Sequence, residues 1–151
     1  MIQITPAPAA VGPVRHAAAS LLTSWGLSAI CEDAVLCLSE AVTNSVLHAP
    51  ATGTVTVAIE RDRRRLRIEV TDGTRSQPGS SGPGPRQPLP PDPQPGPAPA
   101  GFPESEPKEH GWGLEIIAAV ADRWGMDAVR GGHRVWFEKD IPAAAYPAVM
   151  P

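Results

Sequence analysis

At 151 residues the chain has the length of one domain and enough sequence to bury a real core. Its net charge of -3 gives no electrostatic reason to expect direct nucleic-acid binding. No apolar run approaches ~18 residues, so no membrane span is expected, and Met1-Ile2-Gln3-Ile4 lacks the basic start of a secretory signal. The expected location is the cytoplasm, where Cys31 and Cys37 would be reduced thiols.

Met1 to Thr5 predicts a short edge strand, ended by Pro6 and Pro8. Pro13 suits the first turn of a helix, and Val14, Ala17, Ala18, Leu21 and Leu22 recur at helical spacing. Gly26 is the expected C-terminal cap. Ser28 is a candidate N-cap for a second helix, with Glu32 and Asp33 in its first turns. That helix runs to about Leu47, and Pro50 and Gly53 stop it. On it, Glu40, Asn44 and His48 form one polar stripe, while Val35, Leu38, Val42, Ser45, Val46 and Ala49 fall on the other side.

Thr54–Glu60 and Leu66–Thr71 alternate in the manner of half-buried strands, and the short Arg61–Arg64 connection argues for an antiparallel hairpin. The arginines there read as a solvated turn. From Arg75 to about Glu109 the chain is rich in Pro, Gly and Ser and has no apolar face to bury, so it is expected to be disordered or polyproline-like. Order returns at His110-Gly111-Trp112-Gly113-Leu114, from which a helix reaches about Arg123. Trp124–Val129 and Arg134–Glu138 then form a second hairpin across Arg130–His133. The order β-α-α-β-β-(long loop)-α-β-β predicts an α+β fold: a two-layer sandwich, mostly antiparallel sheet with helices on one face. One domain over residues 1–141 is expected, followed by a loose tail over 142–151.

Three segments carry chemistry in this order: Glu40-x-x-x-Asn44 on a helix, Asp72-Gly73 at a strand end, and Gly111-x-Gly113 opening a helix. Their order and wording resemble the GHKL superfamily of ATPases and kinases, nearest its small anti-sigma-factor serine/threonine kinase branch (HATPase_c_2). Leu38-Ser39-Glu40-Ala41-Val42-Thr43-Asn44-Ser45-Val46-Leu47-His48-Ala49 resembles that family's N-box. Val70-Thr71-Asp72-Gly73 resembles its first glycine box, and His110-Gly111-Trp112-Gly113-Leu114-Glu115-Ile116-Ile117 the second. Ala121–Gly125 and Gly131–Glu138 resemble the family's ending, and Arg15–Leu27 its first helix.

The resemblance implies a histidine-kinase-like ATPase fold with ATP and Mg²⁺ as cofactors. It implies that Asn44 offers its amide oxygen to Mg²⁺, a hard cation that prefers oxygen ligands. Asp72, with Gly73 beside it, would accept a hydrogen bond from the adenine amino group. Gly111, Trp112, Gly113 and Leu114 would line the phosphates, whose charge the following helix N-terminus stabilises. Glu40 would be the general base toward a Ser or Thr hydroxyl, or toward water in an ATPase. Residues 75–109 would be the ATP lid. The implied partners are a sigma factor and/or an anti-sigma antagonist of the STAS type, and homodimers are common among such relatives. His48 reads as closing the helix end. Lys108 reads equally as a phosphate contact or as an exposed loop residue, and Trp112 as packed on the lid or exposed.

Two departures bear on activity. Asp72-Gly73-Thr74-Arg75 lacks the fuller Asp-x-Gly spacing of larger members. In the last strand, where many members place a Thr near the adenine-contacting Asp, this chain is read as carrying Arg134. Glu40 argues for a kinase. The two departures argue for the alternative, a regulatory module that binds ATP or holds a partner without catalysis.

Overall fold

The computed structural model describes residues 1–49, 53–74, 112–129 and 132–143. The proline-rich 75–109 segment, the 144–151 part of the tail, Gly111 and Lys108 lie outside these. Among the described residues, five strands form one antiparallel sheet in the order β1-β2-β3-β5-β4. The strands are β1 (Ile2–Ile4), β2 (Gly53–Arg61), β3 (Arg65–Thr74), β4 (Arg123–Val129) and β5 (Gly132–Asp140). Three helices, α1 (Val11–Ser24), α2 (Ser28–His48) and α3 (Trp112–Val120), pack against the sheet. The α+β sandwich expected from the sequence is the one observed.

Alternation along the strands separates the two faces. Val55 and Val57 on β2, Leu66, Ile68 and Val70 on β3, and Val135 and Phe137 on β5 are buried beneath the helices. The register pairs Val57 with Val70, Ile68 with Phe137, and Val70 with Val135, so these side chains form rows across the sheet. Val14, Ala18 and Leu22 of α1 recur every four residues and meet them from above, with Ile30, Ala34, Leu38, Ala41 and Val42 of α2. Cys37 joins this core, fully buried, and burial pushes its thiol up to about 11. Both cysteines are free.

The joint between α1 and α2 is tight. Gly26 takes a positive φ of 75°. Its N–H donates to the Thr23 carbonyl, and the Leu27 N–H donates to the Leu22 carbonyl, both at 2.9 Å. This is a Schellman ending, closed by the buried pair Leu22 and Leu27. Ser28 is consequently not the N-cap expected of it. It is the first residue of α2, while Leu27 holds the cap position with no side-chain cap. Glu32 and Asp33 lie beyond the first turn, which holds no acid. Asp33 instead meets Lys139 of β5 at 3.0 Å.

The β2–β3 turn is ordered by Asp62, whose carboxylate accepts the N–H groups of Arg64 and Arg65 at 2.6 and 2.8 Å. Those hydrogen bonds hold the Asp62 carboxyl below its usual value. Arg61 is more than solvated: it lies over Trp25, 5.1 Å from the ring centroid, and donates to the Trp25 carbonyl. The sheet face away from the helices carries a ladder of ion pairs. Glu138, 8% exposed, accepts Arg67 at 2.9 Å and has Arg65 and Arg123 within 3.4 and 3.8 Å. Arg67 stacks on Trp136 at 4.3 Å. Burial opposes charge on Arg67, but hydrogen bonds from it to Glu69 and Glu138 outweigh that and raise its pKa.

Candidate functional site

The site begins with the spacing in α2. Leu38, Ala41, Val42 and Ser45 turn into the core, and this leaves Glu40 and Asn44, one helical turn apart, half-buried at the edge of that contact. His48, the third member of the stripe, is exposed at the helix end. The neighbouring element is α3. It ends three residues sooner than its sequence suggests, so that Arg123 opens β4. Gly113 is therefore the second residue of the helix, and it is buried against α2.

Gly113 is where the two segments touch. A Cβ built on it would lie 2.7 Å from Asn44 Nδ2, and 3.2 Å from both Asn44 Oδ1 and Glu40 Oε2. With glycine there the α3 backbone lies close to the acid and the amide, and a side chain would displace their ends. The first turn of α3, whose N–H groups have no partner within the helix, is thus held beside both side chains. Leu114, half-buried, packs against the core. The backbone of Trp112 opens the helix.

Asp72 is placed by the sheet. It follows Val70 by two residues and so points to the helix side, although β3 continues past it to Thr74 rather than ending there. Its side chain is 10% exposed. Oδ1 accepts the backbone N–H of His133 at 2.7 Å. Oδ2 makes no hydrogen bond among the described residues, and β5 stops pairing with β3 at Thr71, one residue short of Asp72. Gly73 takes the next position, pairing with Thr54.

Arg134 does not stand where it was expected. Thr71 pairs with Arg134 on the face away from the helices, and Arg134 donates from Nη2 to Asp127 at 2.8 Å. Its Nη1 is 4.0 Å from Glu69. The residue on the helix side is His133, because Val135 and Phe137 fix that alternation. His133 Nδ1 is 3.9 Å from Asp72 Oδ1. The sequence reads Arg130–His133 as a hairpin turn, which leaves this out. The signal was present in the odd-numbered apolar positions of β5.

The donor set suits a hard cation held jointly with phosphate. Asn44 supplies an amide oxygen, Glu40 a carboxylate lies beside it, and the space a Gly113 side chain would take is left to them. Among the described residues no group of three or more His, Cys, Asp and Glu is placed to hold a metal without help.

Residues 4–139 match the family described as the histidine kinase-like ATPase domain. The chain belongs to that family. The match spans all five strands but for the first two residues of β1 and the last of β5, and all three helices. The histidine kinase-like ATPase domain family includes anti-sigma-factor kinases and typically binds ATP with Mg²⁺. No curated protein matches the chain. No helix among the described residues is long and apolar enough to cross a membrane.

Proposed function

We propose that this histidine kinase-like ATPase domain is an ATP-binding regulatory serine/threonine protein kinase of the anti-sigma-factor type. Its substrate would be a hydroxyl on an anti-sigma-antagonist partner of the STAS type, with a sigma factor as a second partner. The observation that carries the reading is the fit of Gly113 against Glu40 and Asn44. It brings a carboxylate, an amide and a helix N-terminus into one small volume, which supports the roles of base, metal ligand and phosphate cradle.

Each residue then has a distinct task. Asn44 would hold Mg²⁺ through its amide oxygen; the ion, when bound, offsets phosphate charge. The α3 N-terminus adds N–H donors toward the same charge. Asp72 offers Oδ2 to the exocyclic amino group of adenine, with its carboxylate fixed by the His133 N–H. Glu40 accepts the proton of the attacking hydroxyl as that oxygen bonds to the terminal phosphorus and the bond to the ADP oxygen breaks. His133, not Arg134, stands beside Asp72 where many relatives carry Thr, so that departure still favours the non-catalytic alternative.

The test is Mg²⁺-dependent ATP binding by wild type, Asn44→Ala, Asp72→Ala and Glu40→Ala, together with phosphotransfer to candidate partners. Asn44→Ala and Asp72→Ala are expected to lose binding. Glu40→Ala is expected to keep affinity within about tenfold, ~1.4 kcal/mol, and to lose transfer. No binding by wild type removes the nucleotide reading. Binding without transfer to any partner, unaffected by Glu40→Ala, leaves only the regulatory module.

A further inference from the structure

The two edges of the sheet are built differently. β1 is three residues long, and Pro6 and Pro8 follow it, which discourages further pairing. β4, the other edge, has seven residues and no proline, and among the described residues no strand pairs with its outer side. A free edge of that length is a template for another strand. Its side chains sort onto two faces. Arg123, Gly125 and Asp127 stand opposite Glu138, Trp136 and Arg134, on the face away from the helices. Trp124 and Met126 stand opposite Phe137 and Val135, on the helix side, and Met126 is 40% exposed there.

Arg123-Trp124-Gly125-Met126-Asp127 is its own complement when reversed. Set two copies antiparallel about a two-fold axis at Gly125, and each Arg123 meets the second copy's Asp127 while each Trp124 meets the second copy's Met126. The ion pairs fall on one face and the sulfur–aromatic pairs on the other. An axis one residue either way, at Trp124 or at Met126, sets neither charge opposite its complement. We propose that β4 pairs with β4 of a second copy of this chain in this register, joining two five-stranded sheets into one. The proposal does not depend on the nucleotide reading.

The intrachain contacts of these residues extend into such a pairing. Arg123 reaches Asp140 and Glu138 through Nη1, and a guanidinium has further N–H donors. Arg134 donates from both Nε and Nη2 to Asp127 Oδ2, and Oδ1 takes neither bond. Across the axis these become one ladder, from Asp140 through Arg123 to the second copy's Asp127 and Arg134. Gly125 suits the centre. A Cβ there would lie 2.8 Å from Trp136 Cε2, so the indole covers the glycine, and Arg67 stacks on that indole. The row from Arg67 through Trp136 to Gly125 then repeats in reverse in the second copy. Met126, exposed in one chain, gains an aromatic neighbour in two.

The experiment is sedimentation equilibrium of the full chain over about 5–500 µM. The contact is small, so wild type is expected to dimerise with a dissociation constant on the order of 10–100 µM. Arg123→Glu and Asp127→Lys each set like charges opposite one another twice, and each alone is expected to weaken the dimer roughly tenfold or more. An equimolar mixture of the two restores both ion pairs, and is expected to recover the dimer. Each variant loses the same intrachain bond alone as in the mixture, so recovery cannot come from folding. Met126→Lys touches none of these ion pairs and is expected to be monomeric also. Wild type that stays monomeric leaves the edge to a strand of another protein and overturns the proposal. Dimers that survive every substitution use another surface and overturn it as well. Single variants that are monomeric, with no recovery on mixing, overturn the register and the proposal with it.

Discussion

Glu40 and Asn44 are ordinary residues on an ordinary helix until Gly113 is brought against them. A methyl group at that position would stand 2.7 Å from an Asn44 side-chain nitrogen, closer than packed atoms tolerate. In isolation, Gly113→Ala should favour α3, since alanine is the better helix former by about 1 kcal/mol. In this structure it should push Asn44 and Glu40 aside. The expected outcome is a thermal midpoint that moves little, with Mg²⁺-ATP affinity reduced more than tenfold. Paired melting curves and titrations check it. An affinity within twofold of wild type would show that the close approach is packing alone. The i, i+4 spacing placed the acid and the amide on one face, but the seating of Gly113 against them was not legible, because the glycines were read only as a phosphate cradle implied by the resemblance. His133 was not legible either. Its position depends on which side of β5 faces the helices, and a turn reading of Gly131-Gly132-His133 set that question aside.

At the scale of elements, α3 is fixed at both ends by unlike means. Its start is seated on α2 through Gly113, and its last residue, Val120, is held by Lys139. That side chain is nearly buried, and its ammonium group donates to the Val120 carbonyl at 2.8 Å and to Asp33 at 3.0 Å. Asp122 stands 3.9 Å away. A lysine tolerates such burial when its donors are taken up. Lys139→Met would keep the apolar stem and leave the Val120 carbonyl without this partner, a loss of about 1–3 kcal/mol. Urea unfolding should show a lower midpoint with an unchanged slope. Amide exchange in α3 should accelerate more than in β2 and β3. The helices and strands themselves were readable from periodicity, apart from their ends. The cap of α2 was misread because a Schellman ending leaves no loop in which Ser28 could serve. Lys139 was missed because a charged residue near a strand end looks exposed until its row partners are known.

For the molecule as a whole, the core sits between one helical layer and one sheet face, and Cys37 lies in the middle of it. Its thiol ionises at about 11 rather than 9.0 because the thiolate would be desolvated. Since the folded state keeps this proton to higher pH than the unfolded chain, stability is unaffected below about pH 9 and falls as the pH approaches 11. The loss from this group is roughly 2–3 kcal/mol at most. Cys37→Ser or Cys37→Ala would remove that alkaline slope, which denaturant titrations at a series of pH values would reveal. Native Cys37 should also resist alkylation at pH 8 while Cys31 reacts more readily. The fold class followed from the sequence because the alternating strands and amphipathic helices each had one face to bury. The sheet order, with β5 between β3 and β4, did not, since only the pairing itself brings the last strand inside the sheet.

That interior strand, β5, has a metric consequence. His133 and Lys139 project from the same side of β5, six residues apart, a span of about 20 Å in extended chain. One fixes the carboxylate assigned to the base; the other anchors the far end of the helix whose first turn is assigned to phosphate. β5 is therefore a ruler laid between Asp72 and the C-terminal end of α3. Inserting two residues between Val135 and Phe137 would preserve every inward and outward direction, yet lengthen that ruler by about 7 Å. Such a protein would keep its alternation and lose its measure.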